Sequence, residues 1–121
     1  MSSTTMIRKG ADMRRRPLDA CHGGQGALDF LEVLGRPDPA RRLRFLHDNV
    51  MAPGVSIGVH SHSKDEEYYY ILSGSGTMTL DGQRIKVQAG DVTAVYRGGS
   101  HGLENDSDQD LRLIVFSVMA E

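Results

Sequence analysis

Three histidines and one glutamate are the residues of this chain best suited to chemistry. His60 and His62 lie two positions apart in a segment rich in Val, Ile and Tyr, and Glu67 follows them. If that segment is a β-strand, alternate side chains share a face, so both imidazoles point the same way. His101 lies in a second glycine-containing segment further along the chain. Neutral imidazoles and a carboxylate bind divalent first-row metal ions, so the four residues are candidate metal ligands.

The two segments resemble the two conserved motifs of the cupin superfamily. The first motif, G-x5-H-x-H-x4-E-x6-G, is matched at every fixed position by Gly54, His60, His62, Glu67 and Gly74. The second is matched by Gly90, Gly98, His101 and Asn105, and Tyr96 stands where the family usually has proline. That proline stiffens a turn and is not a ligand, so its replacement leaves the metal-binding residues intact. Glu66 is an alternative carboxylate, but only the register with Glu67 also places Gly74 correctly.

The resemblance implies an all-β fold, the double-stranded β-helix or jelly-roll barrel of a small single-domain cupin. It also implies one divalent transition metal per chain (Mn, Fe, Ni, Zn or Cu), held by His60, His62, Glu67 and His101. Asn105 is expected to hold the loop of the second motif through backbone hydrogen bonds.

The pattern of short apolar segments separated by glycine turns independently predicts a β-barrel or double-sheet fold. Asp81-Gly82 is a strong hairpin signal, because both residue types tolerate the positive φ of a tight turn. Ala27–Leu34 is compatible with a helix or a strand, and the β-rich surroundings favour a strand. Residues 1–18 are polar and basic and are interpreted as a flexible arm, which leaves residues 19–121 as one cupin barrel domain.

The composition limits which partners the protein is expected to bind and in which cellular compartment it is expected. A formal net charge of −2 argues against a nucleic-acid partner, which usually selects a basic protein. No apolar run is long enough to span a bilayer, so no membrane association is expected. Cys21 is the only cysteine, which excludes an intrachain disulfide and makes the cytoplasm the default location.

Several other residues are candidates for roles around the metal. Tyr69 shares strand parity with Glu67, so it could orient a substrate or act as an acid or base; a core tyrosine is the alternative. His47 is either a pocket residue or a surface residue, because the sequence does not show which face of its strand lines the pocket. Arg97 could bind an anionic group of a substrate, and His22 is expected at the surface.

Two functions are compatible with these features. One is a metal-dependent enzyme (a dioxygenase, decarboxylase, isomerase or lyase) acting on a small oxygen-rich or anionic molecule. The other is a non-catalytic module that binds a small, sugar-like ligand. The intact ligand set favours the enzyme. Jelly-roll sheets leave edge strands that invite a second chain, and the resemblance to small cupins implies a homodimer.

Overall fold

The structure is a computed structural model that describes residues 4–36, 38–40 and 42–120. Within these ranges the chain forms ten β-strands and two single-turn 3-10 helices, Gly10–Asp12 and Cys21–Gly23. The strands are β1 (Arg16–Asp19), β2 (Ala27–Leu34), β3 (Leu43–Met51), β4 (Ser56–Ser61), β5 (Asp65–Ser73), β6 (Ser75–Leu80), β7 (Gln83–Gln88), β8 (Val92–Val95), β9 (Ser100–Glu104) and β10 (Leu111–Met119). No helix of the described residues is long and apolar enough to cross a membrane.

The strands make two antiparallel sheets that face each other. One sheet has six strands in the order β1-β2-β3-β10-β5-β8, and the other has four in the order β4-β9-β6-β7. The alternation of burial along β10 shows why the sequence folds this way, since Leu111, Leu113 and Val115 point inward while Arg112 is exposed. The inner faces of both sheets enclose one apolar core, in which Met51, Ile71, Met78, Leu111 and Leu113 have no exposed surface. The predicted all-β jelly-roll fold is confirmed.

Two local predictions are also confirmed. Asp81 and Gly82 have φ values of 46° and 83° and join β6 to β7 with Leu80 opposite Gln83, which is a two-residue hairpin. Ala27–Leu34 is a strand rather than a helix and pairs with both β1 and β3.

The N-terminal segment contributes to the sheet. Arg16–Asp19 pairs with β2, so the sheet begins inside the segment predicted to be a flexible arm. Further upstream, the Arg8 guanidinium lies 2.7 Å from the Asp38 carboxylate. Residues 1–3 of the predicted arm lie outside the described ranges.

A buried asparagine fixes the loop between β9 and β10. The Asn105 amide nitrogen donates to the carbonyl oxygens of Met51 at 2.9 Å and Gln109 at 2.7 Å, and its oxygen accepts from the Ser107 backbone N–H. Asn105 is expected from the sequence to hold the loop of the second motif, but these bonds hold the residues that follow the motif and connect them to the end of β3.

Candidate metal centre

The four candidate ligands come from both sheets and meet inside the barrel. His60 lies in β4 opposite His101 in β9, so the register of these two strands sets the imidazoles side by side. His62 follows β4 directly, and its backbone N–H bonds the Gly99 carbonyl before β9. Glu67 projects from β5 of the opposite sheet and is 5% exposed. The structure therefore brings together the four residues that the two motifs identify.

The ligand atoms lie at nearly uniform separations. His101 Nε2 is 3.1 Å from His60 Nε2, 3.2 Å from His62 Nε2 and 2.9 Å from Glu67 Oε1. The Nε2 atoms of His60 and His62 are each 3.5 Å from the same carboxylate oxygen. Metal–ligand bonds of about 2.0–2.2 Å place neighbouring ligand atoms about 3.0–3.5 Å apart on one ion. The residues fit a first-row divalent metal.

Hydrogen bonds on the far side of two rings identify the nitrogen of each imidazole that is free to bind a cation. His60 Nδ1 is 2.7 Å from the Gly58 carbonyl oxygen, and His62 Nδ1 is 3.0 and 3.1 Å from the Asp65 carboxylate oxygens. Both partners only accept, so each Nδ1 carries a proton, and in a neutral imidazole the Nε2 atom then keeps its lone pair. Two such lone pairs cannot hydrogen-bond each other. Their convergence on a carboxylate is therefore the arrangement of a cation site.

The protonation states also suit a cation. Burial alone would raise the pKa of Glu67, but hydrogen bonds from His101 and His60 hold it well below its usual value. Burial lowers the pKa of His101, which keeps that imidazole neutral. Burial likewise lowers the pKa of His60, but hydrogen bonds to Glu67 and Gly58 outweigh this effect and raise it overall. In acid, a metal ion must therefore displace a proton from His60 in order to bind.

Asp65 orients the ligand His62, and sequence reasoning missed it. Its carboxylate accepts from Ser117 Oγ at 2.6 Å and from Arg44 Nη1 at 2.9 Å, as well as from His62. Asp65 is not at a fixed position of either motif, and in the structure β5 begins there. Extending the inward parity of Glu67 and Tyr69 two residues backward would have found it.

His22 is the second residue that sequence reasoning missed. It is exposed, as expected, but its ring stacks on His60 with centroids 3.5 Å apart and planes 11° apart. The loop that carries it approaches β4 very closely, since a Cβ on Gly58 would lie 1.9 Å from the His22 carbonyl oxygen. His22 itself has a φ of 51°, a left-handed conformation that is costly for a non-glycine residue.

A cavity of about 190 Å³, hereafter the chamber, is lined by one of the four candidate ligands, Glu67. Its polar lining consists of Cys21, His22, His47, Asn49, Glu67 and Tyr69, and its other lining residues are apolar. It is smaller than the pockets of about 300–1,000 Å³ that hold drug-sized ligands. A larger cavity, about 460 Å³, shares Phe45 and His47 with the chamber, but none of the four metal ligands lines it.

Of the remaining candidates, Tyr69 and His47 line the chamber and Arg97 does not. Tyr69 is 2% exposed, and its ring centroid lies 4.5 Å from that of His101. Burial, and to a smaller extent the charge of Glu67, raises the pKa of Tyr69 well above its usual value, so the phenol stays protonated. His47 lines the chamber, and burial lowers its pKa to about 4. Arg97 is not among the chamber residues; its Nε donates to the Ser63 carbonyl at the surface.

Comparison with known proteins agrees with the fold. A family model described as "Cupin domain" matches residues 49–117, so this chain belongs to the cupin family. A curated relative from Thermotoga maritima, "Oxalate-binding protein", is 28% identical over 116 residues, which are 96% of each chain.

Solved structures of similar proteins show the same fold. A structure from Thermotoga maritima described as a predicted oxalate decarboxylase superposes with a TM-score of 0.88 at 27% identity, over 94% of this chain and 99% of that one. The polyketide cyclase RemF from Streptomyces resistomycificus superposes with a TM-score of 0.74 over 97% of this chain and 81% of that one. RemF is 24% identical, and its likeness shows the fold alone.

Proposed function

We propose that this cupin binds one divalent transition-metal ion through His60, His62, Glu67 and His101 and uses it to hold a small oxygen-rich anion such as oxalate. The convergence of three imidazole Nε2 atoms on one oxygen of a buried carboxylate carries the proposal. The printed names of the curated relative and of the solved structure from Thermotoga maritima supply the ligand class.

The chain's own residues define what the site offers such an anion. None of the described residues that line the chamber is Lys or Arg, so a bound metal would be the main source of positive charge there. When bound, the metal supplies Lewis-acid polarisation of the oxygens that reach it. The neutral phenol of Tyr69 and the apolar chamber wall exclude water from that position and keep the electrostatic attraction strong.

Enzymatic turnover is the second candidate, favoured by the position of Tyr69. This buried, protonated phenol lies beside Glu67 and the His101 ring, where it can hold a proton next to a bound anion. For oxalate the simplest balanced reaction is decarboxylation, in which hydrogen oxalate gives one CO₂ and one formate. Non-catalytic binding and turnover share the same first step and differ only in whether these products form.

Metal content tests the first part of the proposal. Wild-type protein should bind about one divalent ion per chain, and His62→Ala should lose most of it. Mutation of a residue that only orients a metal ligand typically costs about 10–100-fold in metal affinity, and removal of a ligand itself should cost at least that much. Affinity should fall about tenfold per pH unit for each proton displaced on acidification, since the imidazoles must be neutral to bind. Full occupancy in a His60, His62 and His101 triple alanine variant would contradict the site.

Oxalate titration tests the second part. Calorimetry should detect oxalate binding by the metal-loaded protein and none by the metal-free protein or the triple variant. Equal binding with and without metal would contradict a metal-held anion. Incubation of the metal-loaded protein with oxalate, followed by measurement of CO₂ and formate, separates turnover from binding. Tyr69→Phe should abolish turnover while leaving metal content unchanged.

A further inference from the structure

His22 is a histidine beside the metal centre that is not one of the four candidate ligands. Its ring stacks on the ring of the ligand His60, with centroids 3.5 Å apart and planes 11° apart. The residue is exposed, and its ring nitrogens have no hydrogen-bond partner among the described residues. His22 also lines the chamber, as does the ligand Glu67. The ring is therefore accessible and free to contact a molecule that enters the site.

The stacked geometry excludes His22 as a further ligand of the same ion. The lone pair of an imidazole nitrogen lies in the plane of its ring, so a cation held by His60 Nε2 lies in the plane of the His60 ring. The ring of His22 is nearly parallel to that plane and 3.5 Å away from it. The nitrogens of His22 therefore cannot aim their lone pairs at the same cation. An oxygen atom that approaches the cation from this side enters the layer that the His22 ring occupies.

The loop that carries His22 is fixed by backbone hydrogen bonds. The Ala20 N–H donates to the Gly26 carbonyl at 2.9 Å, and the Ser56 N–H donates to the Gln25 carbonyl at 2.9 Å. His22 itself has a φ of 51°. Left-handed backbone at a non-glycine residue costs free energy, and such residues cluster at active sites and ligand-binding sites. The His22 ring is therefore held beside the metal centre before any ligand binds.

His22 offers an N–H group that two of the ligand histidines cannot offer. The Nδ1–H of His60 is already bonded to the Gly58 carbonyl oxygen. The Nδ1–H of His62 is already bonded to the Asp65 carboxylate. An imidazole carries at least one N–H in either protonation state, so His22 always has a donor.

We propose that His22 recognises the anion that the metal holds, by donating a hydrogen bond from its ring to an oxygen of that anion. This inference rests on the proposed function and adds to it a residue that contacts the ligand without contacting the metal. Hydrogen bonds to a charged acceptor are about twice as strong as those between neutral groups. The His22 ring therefore contributes to anion affinity and not to metal affinity.

Three substitutions separate hydrogen bonding from ring stacking. His22→Phe keeps a planar ring that can stack on His60 but has no donor. His22→Asn and His22→Gln lose the aromatic ring and place an amide N–H near the positions of Nδ1 and Nε2. Calorimetry measures the oxalate affinity of the Mn²⁺-loaded proteins, and competition with a chromophoric chelator measures their Mn²⁺ affinity.

The expected results follow from the loss of one donor. His22→Phe should bind oxalate about tenfold more weakly than the wild type, since a hydrogen bond to a charged group is worth about tenfold or more in affinity. Its Mn²⁺ affinity should stay within about twofold of the wild type. At least one of His22→Asn and His22→Gln should bind oxalate more tightly than His22→Phe does.

Ala20 provides the matched control for the loop. It has a φ of 48°, so it is left-handed like His22, but it is not among the chamber residues. Ala20→Gly frees the backbone of the same loop without removing a donor, because glycine adopts positive φ at no steric cost. It should leave oxalate affinity within about twofold of the wild type.

The outcomes separate this inference from the proposed function. The inference is overturned if His22→Phe binds oxalate as the wild type does, if both amide variants bind it as weakly as His22→Phe, or if Ala20→Gly loses as much affinity. An equal loss of Mn²⁺ and oxalate affinity in His22→Phe also overturns it, because His22 would then act by orienting His60. In each of these cases, oxalate binding by the metal-loaded wild type leaves the proposed function standing. Failure of the wild type to bind a divalent metal, or to bind oxalate once loaded, overturns both.

Discussion

At the scale of single residues, the site depends on which of two adjacent glutamates faces the metal. Glu67 is buried among the three histidines, whereas Glu66 points to the other face of β5 and accepts a hydrogen bond of 2.9 Å from the Tyr68 hydroxyl. Strand alternation produces this separation, because neighbouring side chains point to opposite faces.

Glu67→Gln should weaken metal binding by at least about tenfold, because the neutral amide removes the only negative charge in the ligand set. Glu66→Gln is the matched control and should bind metal as the wild type does. Competition with a chromophoric chelator measures both affinities. A greater loss in Glu66→Gln than in Glu67→Gln would show that the assigned register is off by one residue.

The sequence could identify the four ligand-type residues because their spacing is a linear pattern. It could not identify Asp65 or His22, because their roles depend on packing between distant segments. Asp65 bonds Ser117 of β10 as well as His62, and His22 meets His60 only because its loop docks on β4. His47 shows the same limit: strand parity gave two faces, and only the assembled sheet shows that its face lines the chamber.

At the scale of secondary-structure elements, the loop that precedes β2 packs directly on the backbone of β4, which is possible only because glycines lie at the contact. A Cβ on Gly24 would lie 2.0 Å from the Ser56 carbonyl oxygen, and one on Gly58 would lie 1.9 Å from the His22 carbonyl oxygen. The Gln25 backbone N–H also donates to Ser56 Oγ at 2.8 Å. The sequence did not reveal this contact, because close backbone approach leaves no mark in a single sequence beyond the glycines themselves.

Gly58→Ala should push this loop away from β4 and separate the His22 ring from His60. We expect unfolding free energy to fall by about 1–3 kcal/mol, as for other overpacked sites, and metal affinity to fall because the Gly58 carbonyl also fixes the His60 ring. Gly10→Ala is the control, since nothing lies within 4 Å of the added Cβ, and it should change stability by less than about 0.5 kcal/mol. Urea denaturation and chelator competition measure the two effects. A Gly58→Ala protein as stable as Gly10→Ala would contradict the enforced contact.

At the scale of the whole molecule, the outer face of β5 and β8 carries several exposed apolar side chains. The inner face of this sheet packs against the four-stranded sheet, and the outward residues of β5 and β8 include Tyr70, Leu72 and Val92, which are 44%, 40% and 61% exposed. Tyr68 stacks on Phe116 of β10 with centroids 4.8 Å apart and extends this surface. The sequence indicated such a surface only indirectly, because neither face of β10 is wholly polar.

A homodimer that buries this outer face is the expected assembly, since contiguous exposed apolar surface favours association. Light scattering at micromolar concentrations should give a mass near twice the 13.3 kDa of one chain. Tyr70→Lys should shift the mass toward the monomer, because a charge would be buried in the contact. Ile85→Lys is the matched control, since Ile85 is 45% exposed on β7 of the other sheet, and it should leave the mass unchanged. A single-chain mass for the wild type across the concentration range would exclude the dimer. Equal effects of Tyr70→Lys and Ile85→Lys on the mass would show that the dimer contact is not formed by the outer face of the six-stranded sheet.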